Sequence, residues 1–300
     1  MEWFAFESNQ AVGALTYDLS DLRRTRIGGG VANALPQSAD FPPRRRRLIL
    51  VASQQQSAIS VILHGTGPTV VLVHGGASPA TTWRGLESLS ENFTLAFVHR
   101  RGFPPSPPPV SGRQDFEVDA EDLMPLLYDR PHVIGHSYGG VSAAIAAIRS
   151  PDRVRSLTLI EPAIFIPECD PVVDRFRRIG DTVLADGIDT DPVLLREFLD
   201  AAGAPLPDNA ALPQRVIAGI RRAQGGRPPS EARPEHGVLE RAGTPALVAS
   251  GDHHPAVERV CDAIAAALGA QRVIFRGAGH FVPAAQGFAT RLQRFLQSVA

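Results

Sequence analysis

The segment Gly135-His136-Ser137-Tyr138-Gly139 constrains this 300-residue chain more than any other feature, because of what flanks it. It lies between a short apolar strand pattern, His132 to Gly135, and a small-residue helical pattern, Gly139 to Arg149. A strand that runs straight into a helix must turn sharply, and a serine at the apex is held in a strained backbone conformation. Side chains two residues before and two after would collide in such a turn, which is why glycine is needed at 135 and 139. Ala143, Ala144, Ala146 and Ala147 then let the helix pack close to a sheet. The helix N-terminus beneath Ser137 favours developing negative charge. In this setting Ser137 reads as a nucleophile rather than as a serine that happens to sit in a glycine-rich turn.

The rest of the chain supplies a sheet for that turn. Strand patterns are expected at 48–51, 57–64, 69–74, 94–99, 132–135, 154–161, 245–250 and 271–275, with helical patterns at 115–127, 139–149, 256–268 and 288–298. Thr69 to His74 is a continuous β-branched run, the mark of a strand covered on both faces. Strands that alternate with helices predict an α/β fold with a mostly parallel sheet. Between residues 162 and 243 the strand signal disappears, and helices are expected at 171–186, 191–202 and 212–224. That interval reads as a helical cap, residues 162–243, inserted into a core formed by 48–161 and 244–300. Residues 1–47 have no sustained period and read as an N-terminal extension, either disordered or upstream of the true fold.

Composition removes several function classes. Net charge is −1 and the sequence pI about 6.8, so no basic field directs the chain to nucleic acid or an anionic membrane. The four-residue run Arg44 to Arg47 reads as a solvated approach to the next strand. All 30 basic residues are arginine, which excludes a Schiff-base lysine. Cys169 and Cys261 form neither a disulfide framework nor a zinc spacing and suit a reducing compartment. No stretch approaches a membrane span of about 20 apolar residues, and the N-terminus lacks a signal-peptide pattern. The expected setting is cytoplasmic, with a small-molecule substrate as partner; the sequence is also compatible with a homo-oligomer.

Of nine histidines, His280 in Gly277-Ala278-Gly279-His280-Phe281 has the best context for a general base. It follows the last expected strand, in a loop at the carboxyl edge of the sheet. His74-Gly75-Gly76-Ala77 ends the strand Thr69 to His74. The backbone N–H groups of Gly76 and Tyr138 are the expected oxyanion-hole donors. His253-His254 with Asp252 and Glu258 lacks any metal-ligand spacing, so no metal is expected. Gly28 to Gly30 have no preceding strand and form no dinucleotide fingerprint, so no such cofactor is expected either. Phe176, Leu194, Leu195, Phe198 and Leu199 read as packing residues of the cap helices.

Together these residues resemble the α/β-hydrolase superfamily, in its cap-bearing branch of small esterases, lactonases and carbon–carbon-bond hydrolases. The resemblance runs from about residue 57 to the C-terminus. It rests on Val71-Leu72-Val73-His74-Gly75-Gly76, Arg101-Gly102, Gly135 to Gly140, Pro151-Asp152-Arg153-Val154 leading to Glu161-Pro162, and Gly279-His280. It implies an α/β-hydrolase fold: an eight-stranded, mostly parallel sheet flanked by helices, with the cap after the sixth strand and no cofactor. Where relatives often carry an Asp before the Arg-Gly pair, this chain has Val98-His99-Arg100 before Arg101-Gly102. Most relatives also take the triad acid from a G-x-x-D pattern after the seventh strand; here that loop reads Gly251-Asp252-His253-His254, and Asp252 comes early. Others take it from the end of the sixth strand, where Glu161 stands. Glu161 is preferred and Asp252 stays open. The implied activity is hydrolysis of a carboxylic ester, lactone or thioester of a small to medium hydrophobic substrate. A carbon–carbon-bond hydrolase or cofactor-free haloperoxidase would share the machinery, and a non-catalytic ligand-binding protein is the alternative outside catalysis.

Overall fold

The computed structural model describes residues 14–18, 47–51, 58–164, 170–207 and 210–299. Nine strands among the described residues form one sheet: β1 (Ala14–Asp18), β2 (Arg47–Val51), β3 (Ile59–Gly65), β4 (Thr69–Val73), β5 (Thr94–His99), β6 (His132–His136), β7 (Ser156–Ile160), β8 (Ala246–Ser250) and β9 (Gln271–Ile274). Their spatial order is β1-β2-β3-β5-β4-β6-β7-β8-β9. The pairs from β1 to β5 by way of β2 and β3 are antiparallel, and every pair from β5 to β9 is parallel. The eight strands β2 to β9 are the expected hydrolase sheet. β1, from the N-terminal extension, adds a ninth at the edge by pairing with β2. The remainder of that extension, Arg44 to Arg46 included, lies outside the described residues.

Period-2 alternation divides the parallel strands between two cores, as a sheet covered on both faces requires. Val71, Val73, Val133, Leu157, Leu159 and Val248 face one side. There they meet α2 (Phe116–Leu123), α3 (Tyr138–Arg149), α7 (His236–Arg241) and α8 (Pro255–Leu268). Val70, Leu72, Ile134, Ile160, Leu247 and Ala249 face the other. They meet Trp83 beside the short α1 (Pro79–Thr82), Leu86 and Leu89 of the following turns, and α9 (Phe288–Ser298).

Between β7 and β8 run α4 (Pro171–Asp186), α5 (Pro192–Ala201), α6 (Gln214–Ala223) and α7. The first three match the expected helices to within two residues at each end; α7 is a six-residue helix whose period is too short to read in sequence. Asp170 and Asp191 cap α4 and α5 by accepting hydrogen bonds from the first-turn amides, with proline at the first helical position of each. Ile179, Val183, Leu195, Leu199 and Ile220 form a third, separate core, against which Leu194 and Phe198 pack. Phe176 packs instead toward the main core and lies 5.3 Å from the His254 ring. Among the described residues no helix is long and apolar enough to cross a membrane.

Candidate active site

The parallel strands bring their carboxyl ends to one edge of the sheet, the edge where α/β folds bind ligands. Gly75 and Gly76 follow β4, Ser137 follows β6, Glu161 follows β7, Gly251 to His254 follow β8, and His280 lies in the loop after β9. Because β4, β6, β7 and β8 are consecutive neighbours, residues far apart in sequence meet there.

Ser137 occupies φ +52°, ψ −126°, a conformation that a non-glycine residue holds only when its surroundings enforce it. The enforcement is visible on both sides. Ser137 N–H donates to the Ile160 carbonyl, and Ser137 O accepts from Gly140 and Ala163. A Cβ at Gly135 would stand 2.6 Å from Gly140 Cα, and one at Gly139 would stand 2.2 Å from the His74 carbonyl oxygen. Backbone strain concentrates here: of the four described non-glycine residues with positive φ, Glu161 (+42°) and Asp252 (+58°) belong to the same edge.

His280 Nδ1 lies 2.6 Å from Glu161 Oε2, with both side chains largely enclosed. The other carboxylate oxygen, Oε1, accepts from Gly251 N–H at 2.7 Å and has His253 Nδ1 at 3.3 Å. Burial pushes the Glu161 carboxyl up, but the contacts from His253 and His280, with their charges, outweigh it and hold the pKa down to about 2. Asp252 is placed otherwise. Its carboxylate is 38% exposed and faces Arg276 at 3.4 Å, while its N–H donates to Glu258. Glu161 and His280 are therefore brought together, and Asp252 is not joined to them. Among the described residues no hydrogen bond links Ser137 Oγ to the His280 ring; the two loops are tied by His136, whose Nε2–H donates to the His280 carbonyl at 2.9 Å. Burial first, and then the His280 charge, holds His136 down at about 3, so it is a neutral structural donor.

Gly75, rather than Gly76, is the residue that must lack a side chain for Ser137: its Cβ would fall 2.7 Å from Ser137 Cβ and 3.2 Å from Oγ. Gly76 is exposed with open space around it. The Gly75 carbonyl accepts from Arg100 Nη2 at 2.8 Å and from His74 Nδ1 at 3.0 Å. In a trans peptide the Gly76 N–H points opposite to that carbonyl, so Arg100 fixes the direction of the amide. Arg100 itself is buried against Asp119 (2.5 Å), Gln114 and the His74 carbonyl. Tyr138, whose N–H follows the nucleophile position, stacks under Arg100 and donates its hydroxyl to the Arg227 carbonyl.

Sequence reasoning missed Arg100 and His253. The first sits at the Val98-His99-Arg100 departure, the second in the loop with the off-pattern acid, so both irregularities were signals. The ligand atoms of Glu161, His253 and His280 lie within 4.8 Å of one another, a donor set a metal could use. The 2.6 Å between His280 and Glu161 is a proton-sharing distance, however; two ligands on one zinc at about 2.0–2.1 Å each stand farther apart than that. His254 turns away to cap α8.

The chain is similar to a pimeloyl-[acyl-carrier protein] methyl ester esterase of Aeromonas hydrophila subsp. hydrophila, 29% identical over 131 residues, 43% of this chain and 49% of that one. It is similar to a 2-hydroxy-6-oxononadienedioate/2-hydroxy-6-oxononatrienedioate hydrolase of Paraburkholderia xenovorans, 28% identical over 158 residues, 44% and 55% of the two chains. The chain thus spans about half the length of the curated relatives it matches. Its fold is that of the naproxen esterase of Bacillus subtilis, with a TM-score of 0.61 at 21% identity over 86% of this chain and 93% of that one. The sequence profile described as the alpha/beta hydrolase family matches residues 70–290, and the chain belongs to that family.

Proposed function

We propose that the protein hydrolyses carboxylic esters, lactones or thioesters through an acyl-enzyme, with Ser137 as nucleophile, His280 as general base and Glu161 as the acid that orients it. The observation that carries this reading is the 2.6 Å contact from His280 Nδ1 to a buried, ionised Glu161, beside a serine in a strained elbow. With Nδ1–H committed to the carboxylate, the lone pair of His280 is on Nε2, the nitrogen a base needs. In the first step Oγ bonds to the carbonyl carbon and its proton passes to Nε2. The carbonyl π pair moves to oxygen, where the N–H groups of Gly76 and Tyr138 receive it. Collapse expels the alcohol or thiol, which leaves with the proton from Nε2. Water then repeats the sequence and releases the acid. Catalytic hydrogen bonds commonly tighten only when substrate is bound, and the Ser137–His280 contact belongs to that stage.

Residues 162–243 act in this reading as a cap, since Tyr138 and His280 both touch it. The similarity to a dienedioate hydrolase supports a second reading, hydrolysis of a carbon–carbon bond by the same residues. A fluorophosphonate probe tests the core of both. We expect one stoichiometric adduct on Ser137, found by intact mass and peptide mapping, and its loss in Ser137→Ala. A panel of p-nitrophenyl esters, lactones and vinylogous 1,5-diketones then separates the substrate classes. An unlabelled, fully folded protein would refute the assignment.

A further inference from the structure

Among the described residues, His253 is the ionisable side chain in contact with the Glu161–His280 pair that the proposed reaction leaves without a task. Its two ring nitrogens face two acceptors. Nε2 lies 2.9 Å from the Ala201 carbonyl at the end of α5, and Nδ1 lies 3.3 Å from Glu161 Oε1. The second contact is an ion-pair approach rather than a well-aligned hydrogen bond. A neutral imidazole has one N–H, so it can serve only one of two acceptors and must turn a lone pair toward the other. Only the imidazolium satisfies both.

The surroundings agree. The ring is mostly enclosed, with its side chain 16% exposed. The titratable groups that face it are Glu161 from the β7 end, Glu258 from α8, His280 from the loop after β9 and its neighbour His254. Asp200 and Glu197 of α5 act on His254. Burial pulls His253 down, but the Glu161 contact, the Ala201 carbonyl and the two carboxylate charges together raise it above the ordinary histidine value. Its loop is pinned as well, because Glu258 accepts from both Ser250 Oγ and Asp252 N–H. On the far side, Gly203, two residues beyond Ala201, sits directly on His280: a Cβ there would be 2.3 Å from His280 Cβ.

We propose that His253, as an imidazolium, is a positioning residue that ties the end of α5 to Glu161 and so holds both the carboxylate and the overlying segment in register with His280. The proposal rests on the assignment of Ser137, His280 and Glu161 given above. Deprotonation of His253 turns a lone pair toward either Glu161 or Ala201, the bridge opens on one side, and His280 loses its fixed orientation. Turnover then falls at alkaline pH.

The test is the pH profile of kcat for a p-nitrophenyl ester in the wild-type protein and in His253→Gln, which keeps hydrogen-bonding capacity but does not titrate. The wild type is expected to show a bell, and His253→Gln to lose the alkaline limb, with kcat lowered about tenfold at the plateau and KM nearly unchanged. An alkaline limb that persists in His253→Gln, or a loss that is uniform at every pH, overturns the proposal. Should that variant not fold, ¹⁵N imidazole spectra of the native protein, assigned through bonds from the His253 backbone, decide the matter. The proposal requires both ring nitrogens to stay protonated above the usual histidine range, and a ring that titrates at or below it overturns the proposal. The spectra need no turnover, and labelling of Ser137 is read on the wild-type protein with His253 unaltered, so a failure of the hydrolase assignment is distinguishable from a failure of the bridge.

Discussion

Replacing Glu161 by Gln exchanges one carboxylate oxygen for an amide nitrogen and should nearly abolish turnover, because the surroundings dictate how the amide must lie. Gly251 N–H is a fixed donor 2.7 Å from one carboxylate oxygen, so the amide oxygen of the substituted side chain must face it. The amide NH₂ is then directed at His280 Nδ1, which sits 2.6 Å from the other position. An N–H aimed at Nδ1 forces that nitrogen to accept and places the ring proton on Nε2, the nitrogen that must take the serine proton. The opposite flip sets two donors, NH₂ and Gly251 N–H, against each other. Enforcing the wrong tautomer costs on the order of 10⁴ in kcat in serine proteases, or about 5 kcal/mol of transition-state stabilisation. Asp252→Asn removes only a partly exposed ion pair to Arg276 and is expected to cost less than about 1 kcal/mol in either stability or activity. Steady-state hydrolysis of p-nitrophenyl butyrate, with Ser137 labelling rates as a check on the nucleophile, measures both. A Glu161→Gln protein within tenfold of wild type, or an Asp252→Asn protein reduced a thousandfold, would refute the reasoning.

Gly75→Ala is expected to distort the elbow and reduce expression or labelling of Ser137 severely, whereas Gly76→Ala should fold normally, since its Cβ meets nothing; thermal melts and fluorophosphonate labelling of the two variants compare them. Gly203→Ala combines a positive φ of +73° with a 2.3 Å approach to His280 Cβ. It should lower kcat well beyond the roughly 1 kcal/mol of backbone strain such a residue adds, and an unchanged kcat would show that the overlying loop does not bear on His280. Acid lability follows from Glu161, whose carboxyl stands at about 2 in the folded protein against 4.5 ordinarily. Its contribution, on the order of 3 kcal/mol, is fully present above the unfolded value and is lost as pH falls through the folded one. Urea midpoints between pH 6 and pH 2.5 should therefore fall less steeply in Glu161→Gln than in the wild type.

Much of this protein is legible without coordinates because the relevant physics is local. Short, largely apolar runs mark β4, β6, β7 and β8, and in the structure their alternate residues separate into the two cores. The demand for glycine at 135 is a steric fact about one turn, where a Cβ would meet Gly140 and Ala143, whereas at 139 the Cβ would meet the Val73 and His74 carbonyls at the end of β4. Proline and aspartate at the starts of α4 and α5 set those helix ends within a residue or so. Short elements escaped: α7 has six residues, and α1 four, too few to show a period.

What the sequence could not decide was which groups face each other across the sheet edge. Glu161 and Asp252 both sit at strand ends with a carboxylate, and nothing local distinguishes them. Their directions depend on the pairing of β7 with β8, on Glu161 N–H bonding the Ala249 carbonyl, and on Gly251 turning its N–H to the Glu161 carboxylate. The same holds for Arg100 at the Gly75 carbonyl and for His253 between Ala201 and Glu161, contacts that join residues 25 and 92 positions apart. The pattern of the Ser137 turn lies within a few consecutive residues, and so a single sequence shows it, although β4 and β7 also hold the turn in place. The approach of Glu161 to His280, and of His253 to Glu161 and Ala201, is determined by strand register and by a helix from a distant segment, and only the tertiary structure brings those together.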